Sequence, residues 1–96
     1  MKKDKIEKVG NSVIQHGEVN NRIYLMKLDE KDASDIISGL NSLAETKKYS
    51  KIFAKVPKYH EEIFLEDGYK EEAVIPDFYN GRTDCAFLGK FLSNER

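Results

Sequence analysis

The chain has 96 residues, of which 40% are hydrophobic and 34% charged, and its 16 basic and 17 acidic side chains leave a net charge of -1. This composition indicates a single globular domain, residues 1–96, with a modest core, and it excludes a disordered segment. The balanced charge gives no field that attracts nucleic acid or an anionic membrane, and no apolar run approaches the roughly 20 residues that span a bilayer.

Three antiparallel strands are predicted in the first third of the chain, after a frayed start over residues 1–5. Gly10 and Asn11 provide the turn of the first hairpin, and residues 17–21 form a second turn. The predicted strands are residues 6–9, 12–16 and 22–28.

A helix is predicted next, because hydrophobic residues recur at three- and four-residue steps: Ala33, Ile36, Ile37, Leu40, Leu43 and Ala44. Asp29 or Asp32 is expected to cap its amino terminus, and acidic residues early in the helix complement the helix dipole. Gly39 inside the helix costs up to ~1 kcal/mol relative to alanine, which predicts close packing against the sheet.

A β-turn-α-turn-β unit follows. Residues 51–56 alternate as a strand, and Pro57 suits the first turn of the short helix after it. Gly68 offers the left-handed position that commonly ends a helix, and residues 69–76 form the next strand. The chain then ends with a loop and a last strand, residues 77–83 and 84–92.

The predicted element order is βββαβαββ, which gives a mixed, mostly antiparallel sheet with two helices in the α/β (α+β) class. The helix between residues 22–28 and 51–56 makes a right-handed crossover, so these two strands are predicted to be parallel neighbours. The last two strands are joined by a loop and are predicted to be antiparallel.

Five runs of residues resemble one known family. They are Tyr-Ser-Lys-Ile-Phe-Ala-Lys-Val-Pro, Phe-Leu-Glu-Asp-Gly-Tyr, Ile-Pro-Asp-Phe-Tyr-Asn-Gly, Phe-Leu-Gly-Lys and Arg-Ile-Tyr-Leu-Met-Lys, at residues 49–57, 64–69, 75–81, 87–90 and 22–27. Over about residues 12–92 the chain resembles the β-lysine N-acetyltransferases of the GNAT superfamily. The resemblance implies an acetyltransferase-like fold, either half of a GNAT domain or a degenerate one.

The resemblance also implies a reaction for the full-length family. Its members transfer acetyl from acetyl-CoA to the ε-amine of β-lysine, a small amine substrate, and the product serves as a compatible solute. A neutral amine attacks the thioester carbonyl, so such an enzyme supplies a thioester dock, a route for the ammonium proton and an acid for the thiolate.

The chain departs from active family members where that chemistry resides. Those members carry a glycine-rich turn that binds the CoA pyrophosphate at a helix amino terminus, whereas residues 28–33 here contain three carboxylates and no glycine. The family's thiolate acid is often a tyrosine four residues before the Gly-aromatic pair, and that position is Phe64. A common asparagine is also replaced around Pro57. No catalytic residue and no cofactor site are therefore predicted for this chain alone.

Resemblance and departures together predict a non-catalytic GNAT-like domain, the amino-terminal part of a longer β-lysine N6-acetyltransferase. Its expected role is structural support or dimerisation, with a catalytic domain in cis or a second copy as partner. Two alternatives stay open: a complete small acetyl-CoA-dependent N-acetyltransferase, and a stand-alone dimeric interaction module that pairs through edge strands. Neither nucleic acid nor a membrane is an expected partner.

Four residues in or beside the predicted loop are candidates for a substrate or partner surface: Asp77, Tyr79, Asn80 and Asp84. Tyr79 and Asn80 either border a surface for an amine or a partner domain, or form a turn with an aromatic lid on the core. Asp77 and Asp84 either meet an ammonium group or cap turns.

Other candidate residues have simpler interpretations. His60 with Glu61 and Glu62 suggests an acid/base or metal cluster, but adjacent residues on a helix point apart. His16 lies on a different strand, so no second histidine stands at ligand spacing and no metal site is predicted. Tyr59 is an alternative acid if the alignment shifts by a few residues, or else it packs in the core or at its rim.

The single cysteine, Cys85, cannot form an internal disulfide. It lies in a predicted strand, where it is expected to be a small buried hydrophobic residue. A lone thiol fits a reducing compartment, and no apolar leader follows Met1, so the expected location is the cytoplasm.

Overall fold

The computed structural model describes residues 4–92, which form one six-stranded sheet and two α-helices. The strands are β1 (Lys5–Val9), β2 (Ser12–Gly17), β3 (Arg22–Lys27), β4 (Lys51–Pro57), β5 (Lys70–Tyr79) and β6 (Thr83–Phe91). The helices are α1 (Ile36–Lys47) and α2 (Glu61–Glu66), preceded by the 3₁₀ turns Glu30–Asp32 and Lys58–His60. The predicted order βββαβαββ is confirmed. Neither helix in this part of the chain is long and apolar enough to cross a membrane.

The strands lie side by side in the order β1-β2-β3-β4-β6-β5. All neighbouring pairs are antiparallel except β3 and β4, which are parallel and joined by α1. The parallel pairing at the crossover and the antiparallel pairing of the last two strands are both confirmed. The chain is therefore a mixed, mostly antiparallel α+β domain.

Both helices pack on one face of the sheet and share one hydrophobic core. Its helical members and its members from the central strands are Ile36, Leu40, Ala44, Phe64, Ile23, Leu25, Ile52, Ala54, Val56 and Leu88. The strict alternation of buried and half-buried residues in β4 follows from the period of two in a strand. Gly39 lies against the sheet as predicted, because an added Cβ would sit 2.8 Å from Val9 Cγ1.

The predictions for the chain start and for the first helix were partly wrong. Lys5 already belongs to β1, and Asp4 Oδ2 accepts a hydrogen bond of 2.9 Å from Asn20 Nδ2, while residues 1–3 lie outside the described part. Asp29 caps the 3₁₀ turn and not α1, which begins only at Ile36. The apolar periodicity located the helix but not its first residue.

The predicted loop 77–83 was also too long. β5 continues to Tyr79 and β6 begins at Thr83, and the pairing of the two strands shifts register between Ile75 and Tyr79. Pro76 lies in this irregular stretch of β5, which is an edge strand of the sheet. No pairing with β6 is formed at Pro76, so the N–H that proline lacks is not needed there. A bulge, not a loop, accommodates the proline.

Candidate functional site

The sheet divides into two halves at the carboxyl ends of its parallel strands. Pairing between β3 and β4 ends at Leu25 and Ala54, although β3 continues to Lys27 and β4 to Pro57. Each strand stays with its outer neighbour, because β2 pairs with β3 up to Lys27 and β6 pairs with β4 up to Pro57. Such an opening beside parallel strand ends is a common position for a ligand site in α/β sheets.

A cavity of about 400 Å³ lies in this cleft. Its wall includes Met26, Leu28, Glu30, Lys55, Tyr59 and Tyr79. The volume falls within the range of roughly 300–1,000 Å³ that is usual for small-molecule sites. The cleft is therefore the candidate functional site.

Glu30 bridges one side of the cleft to the other. Its Oε2 accepts a hydrogen bond of 2.6 Å from the Tyr59 hydroxyl, and its Oε1 lies 2.9 Å from His60 Nε2. The Tyr59 bond and then the His60 bond hold the pKa of Glu30 below its usual value, and the same carboxylate raises the pKa of Tyr59. The two 3₁₀ turns are thus tied together across the opening.

The other two carboxylates of the 28–33 turn are also engaged within the chain. Asp29 Oδ1 accepts a hydrogen bond of 2.9 Å from the Lys31 N–H. Asp32 Oδ2 accepts from the Asn11 N–H at 2.8 Å and from the Ser12 hydroxyl at 2.6 Å. The fully buried Ser12 oxygen in turn accepts from the Asp29 N–H at 2.9 Å. These acids hold the β1–β2 hairpin against the turn.

This arrangement corrects one part of the sequence interpretation. The acids were expected to complement the amino terminus of α1, yet the first turn of α1 contains none and Asp35, its N-cap, makes no side-chain capping bond. The carboxylates stop short of the helix because Asp32 is drawn to the hairpin turn. They therefore precede α1 without capping it.

Replacing Asp32 by asparagine should lower the free energy of unfolding at neutral pH. The variant should also lose less of that free energy than the original chain as the pH falls. The Ser12 hydrogen bond, followed by the backbone N–H bonds, holds the pKa of Asp32 below its usual value. A depressed folded-state pKa contributes stability that is complete above the unfolded value, near 3.9, and that disappears as pH falls through the folded value. Urea unfolding of both proteins between neutral pH and strong acid measures the difference, which should shrink toward the acid end.

Asp35→Asn provides the matched control, since Asp35 is exposed and makes no capping bond. It should change stability much less than Asp32→Asn at every pH. Equal losses in the two variants, or a difference that does not shrink in acid, would contradict the assigned role of Asp32.

Two of the four candidate surface residues line the cleft. Tyr79 and Asn80 belong to its wall, and the Tyr79 hydroxyl donates to Cys85 Sγ at 3.7 Å. Burial, and then the bond to Cys85, raises the pKa of Tyr79. Asn80 and Gly81 have φ of 57° and 66°, which is the conformation of primed hairpin turns. Tyr79 and Asn80 therefore belong to the β5–β6 turn and also line the cleft.

Asp77 and Asp84 do not belong to the cleft wall. Asp84 Oδ1 accepts a hydrogen bond of 3.0 Å from the Asp77 N–H, and Asp77 has a positive φ of 54°. The Asp84 carboxylate therefore stabilises the positive-φ backbone at Asp77 in the β5 bulge.

Phe64 and Tyr59 differ in their relation to the cleft. Phe64 has no exposed surface and its ring meets Tyr69 edge to face at 5.2 Å, so this position faces the core. Tyr59 is 64% exposed and its hydroxyl is at the rim of the cleft, bonded to Glu30. Of the two positions considered for a thiolate acid, only Tyr59 borders the cavity.

The remaining candidates serve separate contacts. His60 bonds Glu30, while Glu61 is nearly buried and binds Lys58 Nζ at 2.8 Å. Between residues 4 and 92, no group of three or more His, Cys, Asp or Glu side chains is arranged to hold a metal ion. Cys85 is fully buried, as predicted.

Sequence reasoning missed a buried polar chain at the opposite end of the sheet. His16 is 4% exposed, with Nδ1 2.7 Å from the Tyr49 hydroxyl and Nε2 2.7 Å from Glu7 Oε1. The bond to His16 holds the pKa of Glu7 below its usual value. Alternation with the buried Ile14 was the available signal that His16 points inward.

Comparison with known proteins gives one close sequence relative. The chain is 38% identical over 93 residues to the beta-lysine N(6)-acetyltransferase of Methanococcus maripaludis. This match includes 97% of the chain but only 33% of the relative, so the chain spans about a third of that protein's length. No protein-family model matches the chain.

Solved structures share the fold at low sequence identity. An acetyltransferase from Bacillus cereus matches 93% of the chain and 71% of its own length, with a TM-score of 0.61 and 17% identity. An IAA acetyltransferase from the same organism gives a TM-score of 0.62 at 14% identity, with 84% and 68% of the two chains covered. A GNAT family acetyltransferase from Elizabethkingia anophelis with acetyl-CoA bound gives 0.60 at 14% identity, with 88% and 72% covered. The chain therefore has the fold of the GNAT acetyltransferases.

Proposed function

We propose, from this kinship in sequence and fold, that the chain is the amino-terminal, non-catalytic GNAT-like domain of a β-lysine N6-acetyltransferase. Its role is to support the catalytic part of the same polypeptide or to hold two copies together. The sequence relative is about three times as long as the match, which leaves room in that protein for a catalytic domain. The full-length enzyme would use acetyl-CoA and β-lysine.

The observation that carries the proposal is the internal use of the 28–33 turn. A pyrophosphate held there would have to displace the hydrogen bonds of Glu30 to Tyr59 and His60 and would lie beside two further carboxylates. The negative charges of the carboxylates and of a pyrophosphate would repel each other at such short separation. Residues 28–33 contain no glycine, so the turn lacks the closely approaching backbone N–H groups that would bind the anion. The carboxylates of this turn, and not an anion site, therefore border the cleft on this side, which supports a non-catalytic role.

The proposal predicts that millimolar coenzyme A leaves the thermal midpoint of the chain unchanged. A ligand that binds only the folded state stabilises it by about 2.7 kcal/mol at 100 times its Kd, so real binding gives a measurable shift. Differential scanning fluorimetry with and without coenzyme A is the measurement. The Elizabethkingia anophelis acetyltransferase, solved with acetyl-CoA bound, serves as the positive control. A saturable rise in the midpoint of this chain would refute the non-catalytic assignment.

The cleft itself favours one second candidate, a complete small N-acetyltransferase. Its cavity of about 400 Å³ has the Tyr59 and Tyr79 side chains in the wall, and either hydroxyl is a possible acid for a leaving thiolate. In that reaction the amine nitrogen bonds to the acetyl carbon and loses a proton to water, the carbon–sulfur bond breaks, and the thiolate takes a proton from the acid. Mass spectrometry of β-lysine incubated with acetyl-CoA and the chain distinguishes the two candidates, since only the second gives acetylated product.

A further inference from the structure

The face of the sheet opposite both helices is strongly basic. Cross-strand register places five cationic strand residues on it, Lys8, Arg22, Lys51, Lys55 and Lys70. Glu72 is the one carboxylate among the strand residues of this face. Its side chain lies over Gly89, where an added Cβ would sit 2.6 Å from Glu72 Oε2. Five cations against one carboxylate give these six strand residues a net charge of +4. We call this surface the basic face.

Aromatic rings surround a cavity at the centre of the basic face. It has a volume of about 260 Å³, enough for one aromatic or long aliphatic side chain, and its wall includes Tyr24, Phe53, Phe87 and the acidic Glu72. Phe91 packs edge to face on Phe53 with ring centroids 6.1 Å apart and is 71% exposed. An apolar pocket with an exposed aromatic residue beside it is typical of the centre of a protein interface.

Arg22 lies at this cavity with an unused hydrogen-bond donor. Its guanidinium carbon is 6.0 Å from the ring centroids of both Tyr24 and Phe53. Its Nε is buried and has no hydrogen-bond partner among the described residues. A buried donor without a partner is costly and rare in native proteins, so it indicates a missing acceptor. An acceptor with negative charge would match the surrounding cations.

We propose that the basic face docks an acidic amphipathic protein segment. One large apolar side chain of the segment fills the central cavity, and flanking carboxylates bind Arg22 and the neighbouring Lys51. Exposed aliphatic residues at the margins, Ile6 and Ile75, extend the contact beyond the charges. Coenzyme A binding does not decide this inference, because Arg22, Lys51 and the central cavity are not part of the cleft wall.

A protein segment fits this surface better than a nucleic acid does. An extended phosphate backbone gains affinity from many cationic contacts, whereas the whole chain carries a net charge of -1 and a short acidic segment needs only the few cations of the basic face. The aliphatic margins, Ile6 and Ile75, add apolar contact for a peptide, and bases would stack only on the central aromatic rings.

Fluorescence anisotropy with labelled peptides tests the proposal. The probes are an amphipathic peptide of leucine, phenylalanine and glutamate, the same peptide with every glutamate replaced by lysine, and a single-stranded oligothymidylate. The acidic peptide should bind, more weakly as salt is raised, and the other two should not. Absence of binding by the acidic peptide, or tighter binding of the lysine peptide or the oligonucleotide, would overturn the proposal.

Charge-reversal variants locate the binding surface. Arg22→Glu and Lys51→Glu should each weaken binding of the acidic peptide by about tenfold or more, and Glu72→Gln should strengthen it. Lys47→Glu is the matched control, since Lys47 is exposed in the last turn of α1 on the other side of the sheet. Circular dichroism verifies that each variant is folded, and Lys51→Glu carries the test if Arg22→Glu is not. Equal weakening by Lys47→Glu would show that only overall charge matters and would reject the basic face as the site.

Discussion

Phe64→Ala is expected to lower the free energy of unfolding by about 3–5 kcal/mol. The Phe64 side chain has no exposed surface, belongs to the central core and meets the Tyr69 ring edge to face at 5.2 Å. Phe64 is the buried hydrophobic residue of the six-residue helix α2. Removal of its ring therefore leaves a cavity where α2 packs on the sheet. Urea denaturation followed by circular dichroism measures the loss.

Leu65→Ala, at the next position of α2, is the control. Leu65 is 41% exposed, so its truncation should cost far less than that of Phe64. Phe64→Tyr adds a second comparison, because a hydroxyl at this position enters the core and should destabilise the fold without producing acetyl transfer. A Phe64→Ala loss no larger than that of Leu65→Ala would contradict the placement of this ring.

Leu25→Ala is expected to cost about 2–5 kcal/mol. Leu25 has no exposed surface and, opposite Ala54, forms the last pair before the sheet divides. The two halves of the sheet have no strand pairing beyond this point, so core packing under Leu25 holds them together there. Thermal or urea unfolding of the variant gives the size of this contribution.

Met26→Ala is the matched control for Leu25→Ala. Met26 is the adjacent residue of β3, has a similar volume, points to the other face and is half-buried in the cleft wall. Its truncation should cost clearly less, since cavity water can replace part of its contacts. If both variants lost the same stability, the cleft and not the core would be the main link between the two halves of the sheet.

Local patterns were sufficient to predict most of the architecture. Alternation in residues 51–56 and the left-handed Gly68, with φ of 100°, define the β-turn-α-turn-β unit by short-range sterics alone. The parallel neighbours followed from the handedness of crossovers, which is a general property of L-amino acid chains. These predictions needed no knowledge of distant contacts.

The errors arose where distant contacts decide the local structure. Asp32 was a reasonable helix cap, but it binds Ser12 and Asn11 of the hairpin, twenty or more residues away in sequence. The loop at 77–83 was predicted to begin directly after Pro76, yet pairing with β6 resumes at Tyr79 and carries β5 past the proline as a bulge. Neither competing interaction leaves a signal in the immediate neighbourhood of the residue.

The candidate site was predictable only in part. Tyr79 and Asn80 were identified and do line the cleft, while the expectation that residues 28–33 are unsuited to a phosphate rested on composition and family resemblance. The hydrogen bond between Glu30 and Tyr59 joins residues 29 positions apart, so no local sequence pattern predicts it. The pocket around Arg22 likewise depends on which strands become neighbours.

The irregular outer strand β5 also limits how copies of this chain can associate. Pro76 offers no N–H, and the two register shifts, one on either side of Ala73–Ile75, interrupt the row of groups facing outward. A strand from a second molecule would find no continuous ladder to extend, so lateral growth of the sheet is blocked along this margin. The other edge strand, β1, is short and heavily charged, so it is a poor partner for strand addition as well. Association through a face of the sheet is therefore a more favourable route to assembly than pairing of edge strands.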